Sequence, residues 1–291
     1  MLVLTLILAS CAPDAAPGLG GSRPDTGPGT STATAPSSVP VPVSVLVPVP
    51  VLTSESPAAA ESPAAAVQPV EVIAHGSRDR ALVALTFDAD MSPSMLERLR
   101  TGTVRSWYDA SIIAELRRTQ TPATIFATGL WAIEYADELR GISADPLFEI
   151  ENHSYTHAAF HGPCYTLDVL TSPDEKIREV TDAAQILKEV TGRAPQFFRF
   201  PGGCYAQSDV ALVQQTGEQP VGWDVVSGDP FQQDPAVIVR NVLDNVRPGS
   251  IVVLHLNGAP NAPATAAALR EIIPGLHARN LQPVTLQQLL G

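Results

Sequence analysis

The chain has 291 residues, with 30 acidic side chains against 18 from Lys and Arg, for a formal net charge of −12. Only two of its cations are lysines, Lys176 and Lys188. Nucleic acids and anionic membrane surfaces call for basic patches, so this balance argues against both as binding partners and favours neutral or cationic substrates.

The first eleven residues read MLVLTLILASC. An apolar run ends at Leu8-Ala9-Ser10-Cys11, the form of a lipoprotein signal in which small residues admit a peptidase and Cys11 carries the lipid. At about ten residues the run is too short to span hydrocarbon. No Lys or Arg precedes it, which departs from the usual signal. The expectation is export, with the protein lipid-anchored on the outer side of a bacterial membrane or secreted. The alternative is an unusual cytoplasmic N-terminus.

Residues 12–77 form the expected spacer, rich in Pro, Ala and Val. Residues 12–70 hold 12 of the 27 prolines and five charged side chains. ESPAAA repeats at 55–60 and 61–66, and VPVPVSVLVPVPV fills 39–51. Proline lacks an N–H and fixes φ, so this density excludes sheet interior and helix. The segment is expected to be disordered and extended, partly polyproline II.

From residue 78 to 291 the pattern becomes strand and helix in alternation. ALVALTF (81–87) is a continuous apolar run, as a strand buried on both faces requires. ATIFATG, FEIEN, QFFRF, PVGWDVV, SIVVLHL and QPVTL follow as further strands. The clearest helix opens at Ser172-Pro173-Asp174-Glu175, with Ser as N-cap, Pro at the first position and Glu completing a capping box. Ile177, Val180, Ala184 and Leu187 give it one apolar stripe, and Gly192 closes it. Asp234-Pro235 opens another. About seven parallel strands alternating with helices predict an α/β fold, either a (β/α) barrel or an open sheet.

Such folds collect functional side chains at the C-terminal ends of their strands. Asp88 and Asp90 follow the first strand, His153 and His157 follow FEIEN, and Arg199 ends QFFRF. Asp224 and Asp229 follow PVGW, and His255 ends SIVVLH. Singly, each is explained by a helix cap, a turn or a satisfied core histidine; five strand tips of this kind on one face are not. In HSYTH, the i,i+4 spacing predicts His153 and His157 on one face of a helical turn, both able to reach one metal. A third, carboxylate ligand would leave a position open for water, as in catalytic zinc sites.

TFDAD (86–90), HSYTH (153–157), RFPGG (199–203), WDVVSGD (223–229) and LH (254–255) together resemble, in order and spacing, the five motifs of the polysaccharide deacetylase family, the NodB-homology domain of carbohydrate esterase family 4. The resemblance covers about residues 78–291. It implies a distorted (β/α) barrel that removes acetyl groups from chitin, peptidoglycan, poly-N-acetylglucosamine or xylan. By that resemblance Asp88 matches the general base, Arg199 the residue paired with it, His255 the general acid and Asp229 the carboxylate that supports the acid. His153 and His157 match two metal ligands. Pro201, Gly202, Gly203, Tyr205, Trp223, Asp224 and Leu254 match the substrate and oxyanion region, with the N–H of Gly202 as the expected oxyanion donor. Asp229 beside His255 is expected to raise the pKa of the imidazole and keep its proton for the leaving nitrogen.

Three positions depart from the family pattern. Ala89 stands where a second adjacent aspartate is usual. Residues 88 and 90 share a strand face, so either Asp90 supplies the third ligand or the metal keeps two histidines and water. Gly202 and Pro230 stand where aromatics are common, with Tyr205 and Phe231 as replacements for the groove wall. The metal is divalent, zinc by default, with cobalt, nickel or iron compatible with the same donors. Cys164 and Cys204 are either bridged, as export favours, or two buried thiols. The leading expectation is N-deacetylation of a cell-envelope polysaccharide by a monomer with no nucleic-acid partner. The alternatives are an O-acetyl (xylan) esterase using the same site and a non-catalytic glycan-binding module.

Overall fold

A computed structural model describes residues 71–291, which lie within one compact unit. Cys11, the expected signal segment 1–11 and most of the expected spacer lie outside the described residues.

The sheet begins with β1 (Leu82–Ala89), β2 (Ala123–Ala127), β3 (Phe148–Asn152) and β4 (Phe197–Phe198). It continues with β5 (Gln219–Pro220), β6 (Val225–Val226), β7 (Ile251–His255) and β8 (Gln282–Val284). Seven strands run in the order β5-β4-β3-β2-β1-β7-β6, every pair parallel, and β8 pairs with the start of β1. The result is a curled half-barrel. Pleating sorts its side chains into two layers. Val83, Leu85 and Phe87 of β1 and Val252 and Leu254 of β7 face the helices in the main apolar cluster. Ala84 and Ile251 face inward with Phe126, and Asp88 and His255 continue that inner row to the C-terminal rim.

PVGWDVV is not one strand. It divides into β5 and β6, which sit at opposite ends of the sheet. Gly222, Trp223 and Asp224 cross the seam between them because the chain before β1 occupies it. Ile73 bridges to Val221 and His75 to Ser250, and the Gly76 N–H donates to Gly249 (2.8 Å). Residues 73–76, assigned to the spacer on composition, therefore belong to the folded domain.

The helices are α1 (Pro93–Arg100), α2 (Ala110–Thr119), α3 (Gly129–Glu134), α4 (Ala136–Ser143), α5 (Pro173–Thr191), α6 (Gln207–Gln215), α7 (Pro235–Leu243), α8 (Thr265–Ala278) and α9 (Leu286–Leu290). α5 starts where its capping box predicts, with the Ser172 N–H donating to Glu175 (3.3 Å), and stops at Gly192, whose φ of 76° suits glycine. It buries Val180, Ala183 and Leu187. Asp234 caps α7 through the Ala236 N–H (2.9 Å). Among the described residues no helix is long and apolar enough to cross a membrane.

Candidate active site

The inner row of the half-barrel ends in charge. Asp88 on β1 and His255 on β7 are register partners, so an acid and an imidazole stand side by side at the rim. Asp90 follows one residue beyond β1. Asn257 holds its backbone in place, accepting from the Asp90 N–H (3.1 Å) and donating to its carbonyl (2.7 Å). His153 follows β3, with its Nδ1 2.9 Å from the Arg199 carbonyl, which leaves Nε2 directed at the acids.

His157 reaches the same place by a route that its spacing did not predict. Residues 153–157 form a loop, not a helical turn; Ser154 and His157 have φ of 69° and 62°. Glu179 of α5 imposes this path. It accepts from the N–H of Tyr155 (2.9 Å) and of Thr156 (2.8 Å) and from the Thr156 hydroxyl (2.7 Å), so these amides are committed outside any helix.

Asp90 Oδ1 lies 3.4 Å from His153 Nε2 and 3.4 Å from His157 Nε2. It is buried and has no hydrogen-bond partner. One orphaned carboxylate oxygen facing two imidazole nitrogens is a donor set for a cation, and the three ligand atoms lie within 4.8 Å of one another. Protonation fits that use. Burial alone would raise the Asp90 pKa, but His157, His153 and His255 together hold it well below the usual carboxylate range. Burial pushes His157 down to about 4, against the pull of Asp90, so its imidazole is neutral and able to ligate.

Two ion pairs flank the trio. Arg199 is fully buried; its Nη1 donates to Asp88 Oδ1 (2.7 Å) and its Nη2 to the Gly222 carbonyl (3.2 Å). The guanidinium lies over the Phe126 ring (4.0 Å) and near Trp223 (5.4 Å). On the other side His255 Nδ1 lies 2.8 Å from Asp229 Oδ1. Asp229 also accepts from Ser227 Oγ (2.8 Å), the His255 N–H (2.8 Å) and Thr265 Oγ1 (2.7 Å), which fixes it completely. Burial acts to lower the His255 pKa; the charge and hydrogen bond of Asp229, with Asp90 and Asp88 behind it, outweigh burial and raise it to about 10.

These groups open into a cavity of about 220 Å3 whose wall includes Gly202, Trp223, Phe231 and Tyr165. Other expected wall residues are elsewhere. Leu254 is fully buried among the helix-facing residues, because pleating turns it away from His255. Asp224 faces the seam, where it accepts from Arg78 (2.7 Å), Ser250 (3.1 Å) and the Ile251 N–H (2.9 Å). Tyr205 stacks on Phe200 (4.7 Å between centroids) and does not line the cavity. Pro201 is buried, and the Gly203 N–H is committed to the Phe200 carbonyl (2.9 Å). Cys164 and Cys204 form a disulfide. Ser227 lies inside the WDVVSGD motif but is not among the expected site residues; Asn257 and Thr265 lie outside all five motifs, Asn257 two residues after His255.

The polysaccharide deacetylase family model matches residues 75–221. This chain belongs to the polysaccharide deacetylase family. It is 27% identical over 221 residues to a chitooligosaccharide deacetylase of Azorhizobium caulinodans, covering 72% of this chain and 95% of that protein. It is 26% identical over 215 residues to a peptidoglycan-N-acetylglucosamine deacetylase of Bacillus cereus, covering 72% and 69%. Its fold also matches a CE4-family pseudoenzyme from Bacillus anthracis, with a TM-score of 0.63 at 23% identity over 77% of this chain and 70% of that one.

Proposed function

We propose that this deacetylase domain is a metal-dependent hydrolase that removes N-acetyl groups from a cell-envelope polysaccharide, with peptidoglycan or a chitin-like poly-N-acetylglucosamine as substrate. The observation that carries the reading is the orphaned Asp90 Oδ1 between His153 and His157, set between an Arg199–Asp88 pair and an Asp229–His255 pair. Asp90, His153 and His157 would hold the cation, zinc by default, with cobalt, nickel or iron compatible. The chemistry that a divalent cation held there would supply is a lowered pKa for the attacking water, toward about 7, and polarisation of the acetyl carbonyl.

The chain's own groups supply the proton transfers. Asp88, oriented by Arg199, is the general base that takes a proton from the attacking water. His255, protonated through Asp229, is the general acid that returns a proton to the leaving sugar nitrogen. An amine leaves poorly without that proton, so a retained proton at His255 suits amide hydrolysis. Gly202 lines the cavity, and its N–H is the expected oxyanion donor. Asp88, Arg199 and His255 are all present, which favours catalysis over a purely glycan-binding role. The names of the relatives favour N-acetylglucosamine polymers, and placement in the cell envelope, by lipid at Cys11 or by secretion, fits that substrate.

The test is acetate release from peptidoglycan, chitooligosaccharide and acetyl-xylan, with and without chelator. Chelator-sensitive release from the first two is expected. Release only from acetyl-xylan would move the assignment to an O-acetyl esterase, and no chelator-sensitive release from any of the three would overturn it.

A further inference from the structure

The described residues expose six large apolar side chains: Ile133, Tyr165, Val169, Tyr205, Val226 and Phe231. Tyr165, Val226 and Phe231 line the cavity that holds the charged groups. Tyr165 is 71% exposed and Phe231 67%, and their rings stack at 5.7 Å with 29° between planes. They come from different elements. Tyr165 lies in the loop between β3 and α5, and Phe231 ends the short 3-10 turn Asp229–Phe231 that also carries Asp229. Two large rings left facing solvent at the mouth of a cavity forgo apolar burial, which a ligand with an apolar face would restore.

The loop that carries Tyr165 is closed and anchored. Ala159 bridges to Val169 at its base, and the Ala159 N–H donates to the Asp168 carbonyl (2.8 Å). Next to Tyr165, Cys164 is bonded to Cys204, which follows the Pro201–Gly203 turn. Tyr165 has φ of 48°, a left-handed conformation that a tyrosine does not favour by itself. Gly202 makes the approach possible. A Cβ there would meet Cys164 Sγ at 2.7 Å, Tyr165 Cδ2 at 3.2 Å and Leu167 Cδ1 at 3.3 Å. The space a side chain at 202 would need is filled by the anchored loop.

We infer that Tyr165 and Phe231 form a stacking subsite for a pyranose ring of the glycan, held over the reaction centre by the Cys164–Cys204 bridge. This rests on the proposed glycan substrate and names the side chains that select it. The C–H face of a pyranose is apolar and matches an aromatic face, while its rim hydroxyls stay free for water and polar neighbours. Tyr165 and Phe231 bind the ring, and Cys164 and Cys204 act only as positioning residues.

The experiment compares binding of a fully deacetylated glucosamine oligomer, by calorimetry, with turnover of an N-acetylglucosamine oligomer and of a small acetyl ester that has no sugar. The metal-loaded protein is used as wild type, Tyr165→Ala, Phe231→Ala, Tyr165→Phe and the double variant Cys164→Ser with Cys204→Ser. Tyr165→Ala and Phe231→Ala are each expected to raise Kd and KM for the oligomers about 3- to 10-fold. The loss in kcat/KM should be larger on the oligomer than on the small ester, and Tyr165→Phe should match the wild type. The double Ser variant should raise oligomer KM without changing ester kcat; unchanged oligomer KM would overturn the role given to the bridge. Oligomer Kd in Tyr165→Ala and Phe231→Ala equal to wild type would overturn the subsite while leaving deacetylation intact. A wild type that hydrolyses the ester but binds no oligomer would also overturn it. Oligomer binding lost in Tyr165→Ala, with no acetyl release from any substrate, would uphold the subsite and overturn the catalytic reading.

Discussion

Replacing Arg199 with Met should destabilise the domain far more than replacing both members of its ion pair. Arg199 is fully buried and Asp88 is 4% exposed, so the single change leaves a largely desolvated carboxylate without its guanidinium. Breaking a buried pair from one side costs about 3–5 kcal/mol. For a domain of this size that corresponds to a Tm lower by about 6–20 °C. In Arg199→Met with Asp88→Asn no charge is stranded. What remains is the lost contact with Phe126 and Trp223 and the lost hydrogen bond to the Gly222 carbonyl, together about 1–2 kcal/mol. Asp88→Asn alone leaves the buried guanidinium without its carboxylate and carries a cost of its own, so the double-mutant cycle should show a coupling energy of at least about 2 kcal/mol. Urea unfolding in the presence of chelator measures it without a bound cation that could compensate Asp88. Stability should recover in the double variant while deacetylation stays lost, because Asn cannot take a proton. Costs that add to within about 0.5 kcal/mol would refute the reasoning and make the Arg199–Asp88 contact incidental.

Asp90→Ala should abolish tight metal binding, read as metal content after dialysis; an affinity equal to wild type would remove Asp90 from the ligand set. Asp229→Asn puts an amide NH2 among four donors and weakens the hold on His255. Its kcat should fall about 10²- to 10⁴-fold on an N-acetyl substrate and less on an O-acetyl ester, whose alkoxide leaves more readily; equal losses on both would argue against His255 as the acid. Glu218→Gln should change how stability depends on pH. Burial raises the Glu218 pKa to about 8, only partly offset by the Asn152 hydrogen bond. A raised folded pKa means a stability contribution fully present below about pH 4.5 and lost as pH rises toward 8, worth up to about 5 kcal/mol. Thermal melts of Glu218→Gln should thus match wild type near pH 4.5 and exceed it near pH 8, and an equal offset at both would sink the prediction.

The site was legible where its geometry follows from the strand period, and illegible where a distant residue sets the backbone. Asp88 and His255 end apolar runs, and two-residue spacing predicts that Asp90 shares the face of Asp88. The same logic applied to Leu254 would have placed it correctly, since a neighbour of His255 in a strand must face the other way. HSYTH brings both histidines beside Asp90, but as a loop and not as the helical turn that its spacing predicts. An i,i+4 pair suits a helix, but Glu179, more than twenty residues on, captures the loop amides instead. PVGWDVV reads as one strand because nothing local shows that residues 73–76 will fill the seam it must cross. Tyr165 had no pattern to mark it; its place depends on Gly202 leaving room and on a bridge 40 residues long in sequence.

The inside of the half-barrel shows why burial alone does not decide which carboxylates act. Glu149 and Glu151 on β3 and Glu218 just before β5 are as sheltered as most of the site, and burial raises all three. Glu151 has two backbone donors, at Gln196 and Phe197, but Glu149 stands close enough to oppose its charge. Glu218 has one donor, Asn152, and an oxygen with no partner. Near the rim the same degree of burial comes with different company. Asp88 has a guanidinium, Asp229 has four donors, and Asp90 has three imidazoles that pull it below the usual carboxylate range. Both ends of the inner row are sheltered, but the rim supplies more positive and donating partners. The carboxylates with positive or donating partners are therefore confined to the C-terminal end of the strands, where the cavity opens, and the lower carboxylates, pushed up by burial, belong to the fold.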